Sequence, residues 1–151
     1  MALKPIESAR KLRRFIVYDF EWIPGTLDMR VCGVFDGSRY RYYYTVESFL
    51  NIELNHTNSG AWFYAHAGGL ADVTFVLEVI ANRAKVDRSW SVKASFSGSS
   101  AIIVHIKHGR NTWHFVDSYW LFRDKLANIA KSLGMEKGGP DREMTPQEVK
   151  E

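Results

Sequence analysis

Three acidic residues in two short segments are the residues of this chain best suited to chemistry. Asp19 and Glu21 lie in the segment Tyr18–Trp22, and Asp72 closes the segment Tyr64–Asp72. Because side chains alternate along a strand, Asp19 and Glu21 are predicted to share one strand face, opposite an apolar face made of Ile16, Tyr18, Phe20 and Trp22. Carboxylates that converge in this way hold divalent cations for phosphodiester cleavage, and purely oxygen ligands favour Mg²⁺ or Mn²⁺.

Each of these acids also has an ordinary structural interpretation. A pair of acids at a strand end often faces water or binds an arginine, and Asp72 in the first turn of a helix complements the helix dipole. The glycine pair Gly68–Gly69 favours a shared site, because it breaks the preceding strand and lets the helix acid Asp72 turn back toward Asp19 and Glu21. The combination predicts a metal site rather than three independent surface acids.

The elements that must position these acids follow from periodicity and turn signals. Helices are predicted from a Thr45 cap to about Leu54, after Gly69 to about Arg83, and from about Asp124 to Gly134. Strands are predicted over Phe15–Trp22, Met29–Phe35, Tyr40–Tyr44, Trp62–His66, Val92–Phe96, Ala101–Ile106 and Trp113–Val116. This order predicts an α/β fold of the ribonuclease-H-like type, with a mixed central sheet and helices on its faces.

Composition limits the class of protein. With 151 residues, 46% apolar and 25% charged, the chain is expected to form one soluble globular domain. No apolar run is long enough to cross a membrane, and the single cysteine, Cys32, cannot form an internal disulfide, which fits a cytoplasmic setting. The net charge of +3 does not by itself indicate nucleic-acid binding. The basic cluster Arg10, Lys11, Arg13 and Arg14 is either a solvated stretch or a phosphate contact.

At the level of motifs the chain resembles a known family. The segment Tyr18-Asp-Phe-Glu21 resembles the first motif of the DEDD 3′–5′ exonucleases. Tyr64–Asp72, followed by Phe75–Glu78, is similar to the second motif in the protein-primed family B DNA polymerases of phages and linear plasmids. Phe115–Ser118 and Lys125–Gly134 resemble the segment between the second and third motifs, so the resemblance covers nearly the whole chain in the right order.

This resemblance implies a function, a cofactor and partners. The chain is expected to be the proofreading 3′–5′ exonuclease domain of a DNA polymerase, with two Mg²⁺ or Mn²⁺ ions held by the catalytic residues Asp19, Glu21 and Asp72. By the family's pattern, the single-stranded 3′ end of DNA is contacted by Tyr64, His66, Phe75 and Ser118. The other expected partner is the polymerase domain of the same larger protein, and the expected location is the cytoplasm, that of the host cell if the protein is viral.

The sequence departs from the family pattern near these DNA contacts. Ala67 and Ala71 stand where the family usually carries Asn and Phe, and Tyr119 stands where it usually carries Leu. These changes are expected to weaken the binding of DNA more than the binding of metal. Packing explains some of the same residues: Phe75 fits a core position, and His66 fits a histidine that hydrogen-bonds the backbone.

A third motif is expected just beyond the last residue. Thr145, Pro146 and Glu148 form a complete helix-start signal, with a cap, a first-turn proline and a capping box. In the family this helix carries a Tyr and, four residues later, an Asp. The expectation is therefore a single domain over residues 1–151, truncated before the third motif, that binds metal but cleaves poorly. Asp117 is either a substitute ligand or the cap of the following turn.

Other functions stay open on the sequence alone. One is a module on the same fold that binds single-stranded DNA or a partner protein without efficient cleavage, and another is a related nuclease that acts on RNA. His105 and His108 do not predict a metal site, because residues three apart on a strand face opposite sides. The aromatic segment Tyr40–Tyr44 fits a base-binding surface, although half-buried strands are commonly rich in tyrosine.

Overall fold

The structure, a computed structural model, describes residues 14–26, 28–66, 72–98, 100–120 and 124–135. Its strands are β1 (Phe15–Trp22), β2 (Met29–Phe35), β3 (Tyr40–Tyr43), β4 (Trp62–Ala65), β5 (Trp90–Ser97), β6 (Ser100–His108) and β7 (Asn111–Asp117). Its helices are α1 (Val46–Glu53), α2 (Asp72–Val86) and α3 (Leu126–Ser132), with a 3₁₀ turn over Ser118–Trp120.

All seven strands form one mixed sheet in the order β3-β2-β1-β4-β7-β6-β5. The neighbours β1, β4 and β7 run parallel, and the other pairs are antiparallel. Since parallel strands end at the same edge of a sheet, the carboxyl ends of β1, β4 and β7 lie side by side. The helix α2 is the next element after β4, and its first residue, Asp72, contacts β1 near this edge.

Helices α1 and α2 cover one face of the sheet and build the core with it. Phe49 and Leu50 of α1 and Val73, Val76 and Ile80 of α2 are all buried. They pack against inward-facing strand residues that include Ile16, Tyr18, Phe63, Ile106, Trp113 and Phe115. The apolar stripe of α2 is therefore the face that holds this helix on the sheet.

The predicted elements are confirmed in type and order, and most of the differences lie at their ends. Helix α2 continues three residues past Arg83, to Val86, and β5 and β6 are longer than the apolar runs that predicted them. Their ladder extends because backbone pairing between two antiparallel strands does not require apolar side chains. The α/β architecture with a mixed sheet is compatible with a ribonuclease-H-like fold.

No helix in the described ranges is long and apolar enough to cross a membrane. Several sequence predictions fall outside the described residues. These are the basic cluster up to residue 13, the glycine break and the two alanines in 67–71, and the helix-start signal at 144–148.

Candidate functional site at the carboxyl ends of the parallel strands

The two acids of β1 lie on the strand face that points away from the core. Asp19 is exposed and Glu21 is half-buried, whereas Tyr18 and Phe20 are buried on the other face. The predicted alternation along β1 is therefore confirmed, and it places both carboxylates on one face near the carboxyl end of the strand.

Asp72 is the first residue of α2 and one of the few buried acids, with a relative exposure of 5%. Its Oδ2 accepts a hydrogen bond from the backbone N–H of Phe20, at 3.2 Å. The parallel ladder between β1 and β4 stops at Val17 and Tyr64, so the N–H of Phe20 lies beyond it. Asp72 thus pairs with β1 where β4 has ended, and the indole of Trp22 donates a second hydrogen bond to its carboxylate.

The surroundings of Asp72 concentrate negative charge. Burial raises the pKa of Asp72, the charges of Asp19 and, more weakly, Asp117 raise it further, and the net result is about 7 instead of 3.8. The hydrogen bonds from Phe20 and Trp22 act in the opposite direction, because they stabilise the ionised form. Asp19 and Asp72, which are 53 positions apart in the chain, are therefore coupled electrostatically in the fold.

Asp117 ends β7 at the same edge and is also buried. Its Oδ1 accepts a hydrogen bond from the backbone N–H of Tyr119, at 2.9 Å. This contact confirms the prediction that Asp117 caps the turn after its strand. Its charge also acts on Asp72, so Asp117 adds to the acidic groups that Asp19, Glu21 and Asp72 place at the carboxyl edge of the sheet.

A buried hydroxyl lies among the same charges. The Oη of Tyr18 is buried, and it has no hydrogen-bond partner within the described part of the chain. Burial raises the pKa of Tyr18 well above its ordinary value, and the charges of Asp72, Cys32, Asp117 and Asp19 raise it further. Tyr18 therefore stays neutral as a hydrogen-bond donor near the acidic edge.

The donor set fits a hard divalent cation in its chemistry. Asp19, Glu21 and Asp72 offer only carboxylate oxygens, and a cation would offset the repulsion that raises the pKa of Asp72. In the present side-chain positions, no group of three or more His, Cys, Asp or Glu residues in the described ranges is arranged to hold a metal ion. The structure thus brings Asp19 and Asp72 together electrostatically and places Glu21 on the same strand face as Asp19.

Tyr64, His66 and Ser118 lie beside the acids, on β4 and just after β4 and β7. Tyr64 is half-buried and pairs with Val17, two positions before Asp19 on the same sheet face. The imidazole of His66 contacts the Ser118 Oγ through Nδ1 at 3.0 Å and the backbone carbonyl of Asp124 through Nε2 at 2.8 Å. The predicted backbone hydrogen bond of His66 is therefore confirmed.

The hydroxyl of Ser118 links His66 to β4. It donates a hydrogen bond to the carbonyl of Ala65, at 3.0 Å, and it contacts the Nδ1 of His66. These contacts hold the imidazole at the ends of β4 and β7.

Phe75 lies one turn further along α2 than Asp72. It is half-buried against the core, and its ring packs on Trp22 with a centroid distance of 4.2 Å. The prediction of a packing role is confirmed, and this role reaches the site, because Trp22 is the indole donor to Asp72.

Two residues of the site were not expected from the sequence. Trp22 packs against the core as predicted, and its indole also reaches Asp72, which the sequence did not indicate. Tyr40 of β3 leans over Gly33, the residue paired with Asp19. Burial raises the pKa of Tyr40, and Cys32, Asp19 and Glu21 raise it further. The missing side chain of Gly33 was the one sequence signal for this contact.

The fold and the site together define an α/β domain with a mixed sheet, compatible with a ribonuclease-H-like fold, and with an acidic carboxyl edge. No family model matches the chain, and no curated protein matches it. Among solved structures, the chain is similar to Phi29 DNA polymerase complexed with primer-template DNA and incoming nucleotide substrates, with a TM-score of 0.67 and 18% identity. That match covers 93% of this chain and 28% of the polymerase chain.

A second solved structure, Phi29 DNA polymerase complexed with single-stranded DNA, matches with a TM-score of 0.57 and 17% identity over 86% of this chain. The chain thus spans about a quarter of the polymerase chains that it matches, 25% in this case. At these identities the likeness establishes the fold.

Proposed function

We propose that this chain is a metal-dependent 3′–5′ exonuclease domain that edits DNA ends as part of a larger DNA polymerase. The observation that carries the proposal is Asp72, which α2 holds against the backbone of β1 beside Asp19, with its pKa raised to about 7 by burial and neighbouring acids. A buried acid that experiences such repulsion is costly to keep, and a bound cation offsets that cost. The likeness in fold to Phi29 DNA polymerase supports the choice of a polymerase-associated nuclease.

The residues of the chain have distinct roles in this proposal. A bound divalent cation supplies Lewis-acid stabilisation for hydrolysis of the phosphodiester. Asp19 and Glu21 present carboxylates from β1, and Asp72 presents one from the start of α2. Trp22 and the Phe20 backbone fix the orientation of the Asp72 carboxylate, so that it does not have to be ordered when the cation binds.

The DNA end is proposed to lie on the β1 and β4 side of the acids. Tyr64 offers an aromatic ring on the same sheet face as Asp19, and stacking of a base on such a ring contributes about 1–3 kcal/mol with little dependence on sequence. His66 and Ser118 hold each other at the ends of β4 and β7 and offer an imidazole and a hydroxyl to the sugar-phosphate backbone. An editing site must accept frayed DNA ends of any sequence, and stacking that does not depend on the base meets this requirement.

Metal binding gives the most direct test. Calorimetry with Mn²⁺ on metal-free protein should show binding that weakens at least tenfold in Asp19→Asn and Asp72→Asn. The matched control is Glu78→Gln, which removes one charge from the exposed side of the same helix as Asp72 and should bind like wild type. Equal Mn²⁺ affinity in wild type and both aspartate variants would overturn the metal site.

Activity is tested on a 5′-labelled single-stranded DNA oligonucleotide with Mg²⁺ or Mn²⁺. The expected products shorten from the 3′ end, and Asp19→Asn should abolish them. An RNA oligonucleotide of the same sequence separates a DNA exonuclease from a related nuclease that acts on RNA. Degradation that persists in Asp19→Asn would contradict the proposal.

A binding module that does not cleave is the second candidate. It is favoured by the absence, within the described ranges, of three side chains already arranged around one ion. On this alternative the wild type retains the labelled oligonucleotide in a gel-shift experiment but leaves its length unchanged in the presence of Mn²⁺. Tyr64→Ala should then weaken retention, whereas Asp19→Asn should not.

A further inference from the structure

A pair of histidines on the other half of the sheet forms a second cluster, apart from the acidic edge. His105 of β6 and His114 of β7 are direct cross-strand partners, and their Nδ1 atoms lie 2.6 Å apart. Asp117 lies three positions beyond His114 on β7, which corresponds to about 10 Å along the strand. Both histidine rings are half-buried, so they are reachable from solvent without being freely mobile.

The geometry of the pair directs two ring nitrogens at one point. The rings meet at nearly a right angle, with an interplanar angle of 78° and centroids 4.9 Å apart. In the hydrogen-bonded state, the N–H of one Nδ1 donates to the lone pair of the other Nδ1. In the tautomer with the protons on Nε2, both lone pairs point into the space between the rings.

Trp62 of β4 holds this arrangement in place. Its indole stacks on His114 with a centroid distance of 4.6 Å and an interplanar angle of 26°, and it meets His105 edge-on at 6.3 Å. Trp62 is also the direct strand partner of His114. The imidazole of His114 is therefore fixed on one side by an aromatic wall, which reduces the ordering required to bind a ligand on the other side.

We propose that His105 and His114 chelate one transition-metal dication (Zn²⁺, Ni²⁺ or Cu²⁺) through their Nδ1 atoms. Neutral imidazole is a preferred ligand of these ions and a poor one for Mg²⁺. With metal–nitrogen bonds of about 2.0–2.1 Å in tetrahedral geometry, the two nitrogens separate to about 3.3 Å, so the rings need to move apart by less than 1 Å. Water completes the coordination.

The charges around His105 and His114 do not prevent a cation from binding there. The strand partner of His105 on β5 is Lys93, and the next residue on the same face of β6 is Lys107. Both lysines are exposed, so solvent screens their repulsion. The site is independent of the proposed nuclease function, because it uses none of the residues of the acidic edge.

The test is calorimetry with Ni²⁺ on protein without a histidine tag, in the presence of excess Mg²⁺ to occupy the hard carboxylate site. One Ni²⁺ ion should bind per chain, and His105→Gln and His114→Gln should each weaken that affinity at least tenfold. Histidine-selective NMR should show the two side chains shifting together as Ni²⁺ is replaced by diamagnetic Zn²⁺.

His108→Gln is the matched control. His108 lies on the same strand as His105 and also stacks on a tryptophan, Trp90, at 4.1 Å, but its cross-strand partners Trp90 and Asn111 carry no second imidazole. This variant should bind Ni²⁺ like wild type. If no Ni²⁺ binds, or if the double variant His105→Gln/His114→Gln binds it with unchanged affinity, the pair is a hydrogen-bonded contact and the proposal is wrong. Circular dichroism of the same variants checks that they are folded.

Discussion

The carboxylate of Asp72 lies 3.2 Å from the backbone nitrogen of Phe20, in the position where a longer β4 would have continued the ladder. One hydrogen bond thus fixes the start of α2 to the carboxyl end of β1. Because the same carboxylate is buried and faces the charge of Asp19, the contact that closes the fold also creates electrostatic strain at the candidate site.

The first prediction concerns pH. The pKa of Asp72 is about 7 in the folded protein and near 3.8 in the unfolded chain, so folding favours the protonated form. Its contribution to stability is therefore fully present below pH 3.8 and is lost as the pH rises to about 7. Ionisation should cost on the order of 2–4 kcal/mol of unfolding free energy at pH 8 without metal.

Asp72→Asn should remove most of this cost while keeping an acceptor for the Phe20 N–H. The variant is expected to be more stable than wild type at pH 8 in EDTA, and the difference should shrink at pH 5. Urea denaturation at the two pH values measures this. A wild-type protein that gains stability from pH 5 to pH 8, in parallel with the variant, would show that Asp72 is not strained. At pH 8, Mg²⁺ should raise the stability of the wild-type protein but not that of Asp72→Asn.

The second prediction concerns Trp22, the indole donor to Asp72. Trp22→Phe should keep the packing on Phe75 but remove the hydrogen bond that favours the ionised carboxylate. The pKa of Asp72 should rise further, and Mn²⁺ affinity should fall about three- to tenfold, as expected for the loss of about 1 kcal/mol. Carbon-13 NMR of the aspartate side chains and calorimetry measure the two effects.

Phe75→Leu is the matched control for Trp22, because it changes the other ring of the same pair and leaves the indole donor in place. It should reduce thermal stability while moving the pKa of Asp72 less than Trp22→Phe does. If the two variants shift this pKa equally, packing rather than the hydrogen bond sets the charge state of Asp72.

The third prediction concerns Gly33 and Tyr40. A Cβ atom at Gly33 would overlap the Oη of Tyr40, so alanine at this position must displace the ring. Because Tyr40 is 42% exposed and its Oη is the far end of the side chain, the ring can move, and Gly33→Ala should cost about 0.5–1 kcal/mol of unfolding free energy. In a Tyr40→Ala background the same change should be neutral or slightly stabilising, because alanine suits a strand better than glycine. A double-mutant cycle from urea denaturation measures the coupling, and equal costs in both backgrounds would contradict the contact.

The fourth prediction concerns the polar network around Glu53, which is buried at the end of α1. Its carboxylate accepts hydrogen bonds from Arg41 Nε at 2.6 Å, from Tyr43 Oη at 2.6 Å and from Asn58 Nδ2 at 3.2 Å. Glu53→Ala leaves these donors without their acceptor and should cost about 3–5 kcal/mol in unfolding free energy. Glu53→Gln should cost less, because it keeps one acceptor oxygen.

Glu47→Ala provides the comparison for this network. Glu47 pairs with Arg83 between the helices, but its side chain is 59% exposed. Its removal should cost less than about 1 kcal/mol, as is usual for solvent-exposed ion pairs. Equal losses in Glu47→Ala and Glu53→Ala would mean that burial does not decide the strength of these contacts.

Local patterns were sufficient to predict most of the secondary structure. The alternation in β1 placed Asp19 and Glu21 on one face, and Thr45 caps α1, with its side chain accepting the N–H of Ser48. Gly134, with a φ of 72°, follows the last turn of α3 as predicted. These features depend on side chains and backbone within a few residues of each other, so a single sequence contains the information.

Contacts between distant segments were only partly predictable. The approach of Asp72 to Asp19 was expected from the glycine break, but the hydrogen bond to Phe20 and the indole of Trp22 depend on where β4 ends and where the β1–β2 register shifts. The pairing of His105 with His114 was missed, because i and i+3 spacing was considered within one strand, whereas the partner lies across the β6–β7 hairpin.

The sequence by itself determined the elements, their order and the face on which each acid lies, because those follow from periodicities of two and 3.6 residues. Only the tertiary structure decided that Asp72 is buried beside Asp19 with a pKa of about 7, and that two imidazoles meet between β6 and β7. Both depend on strand order and register, which are set by the packing of the whole sheet against α1 and α2.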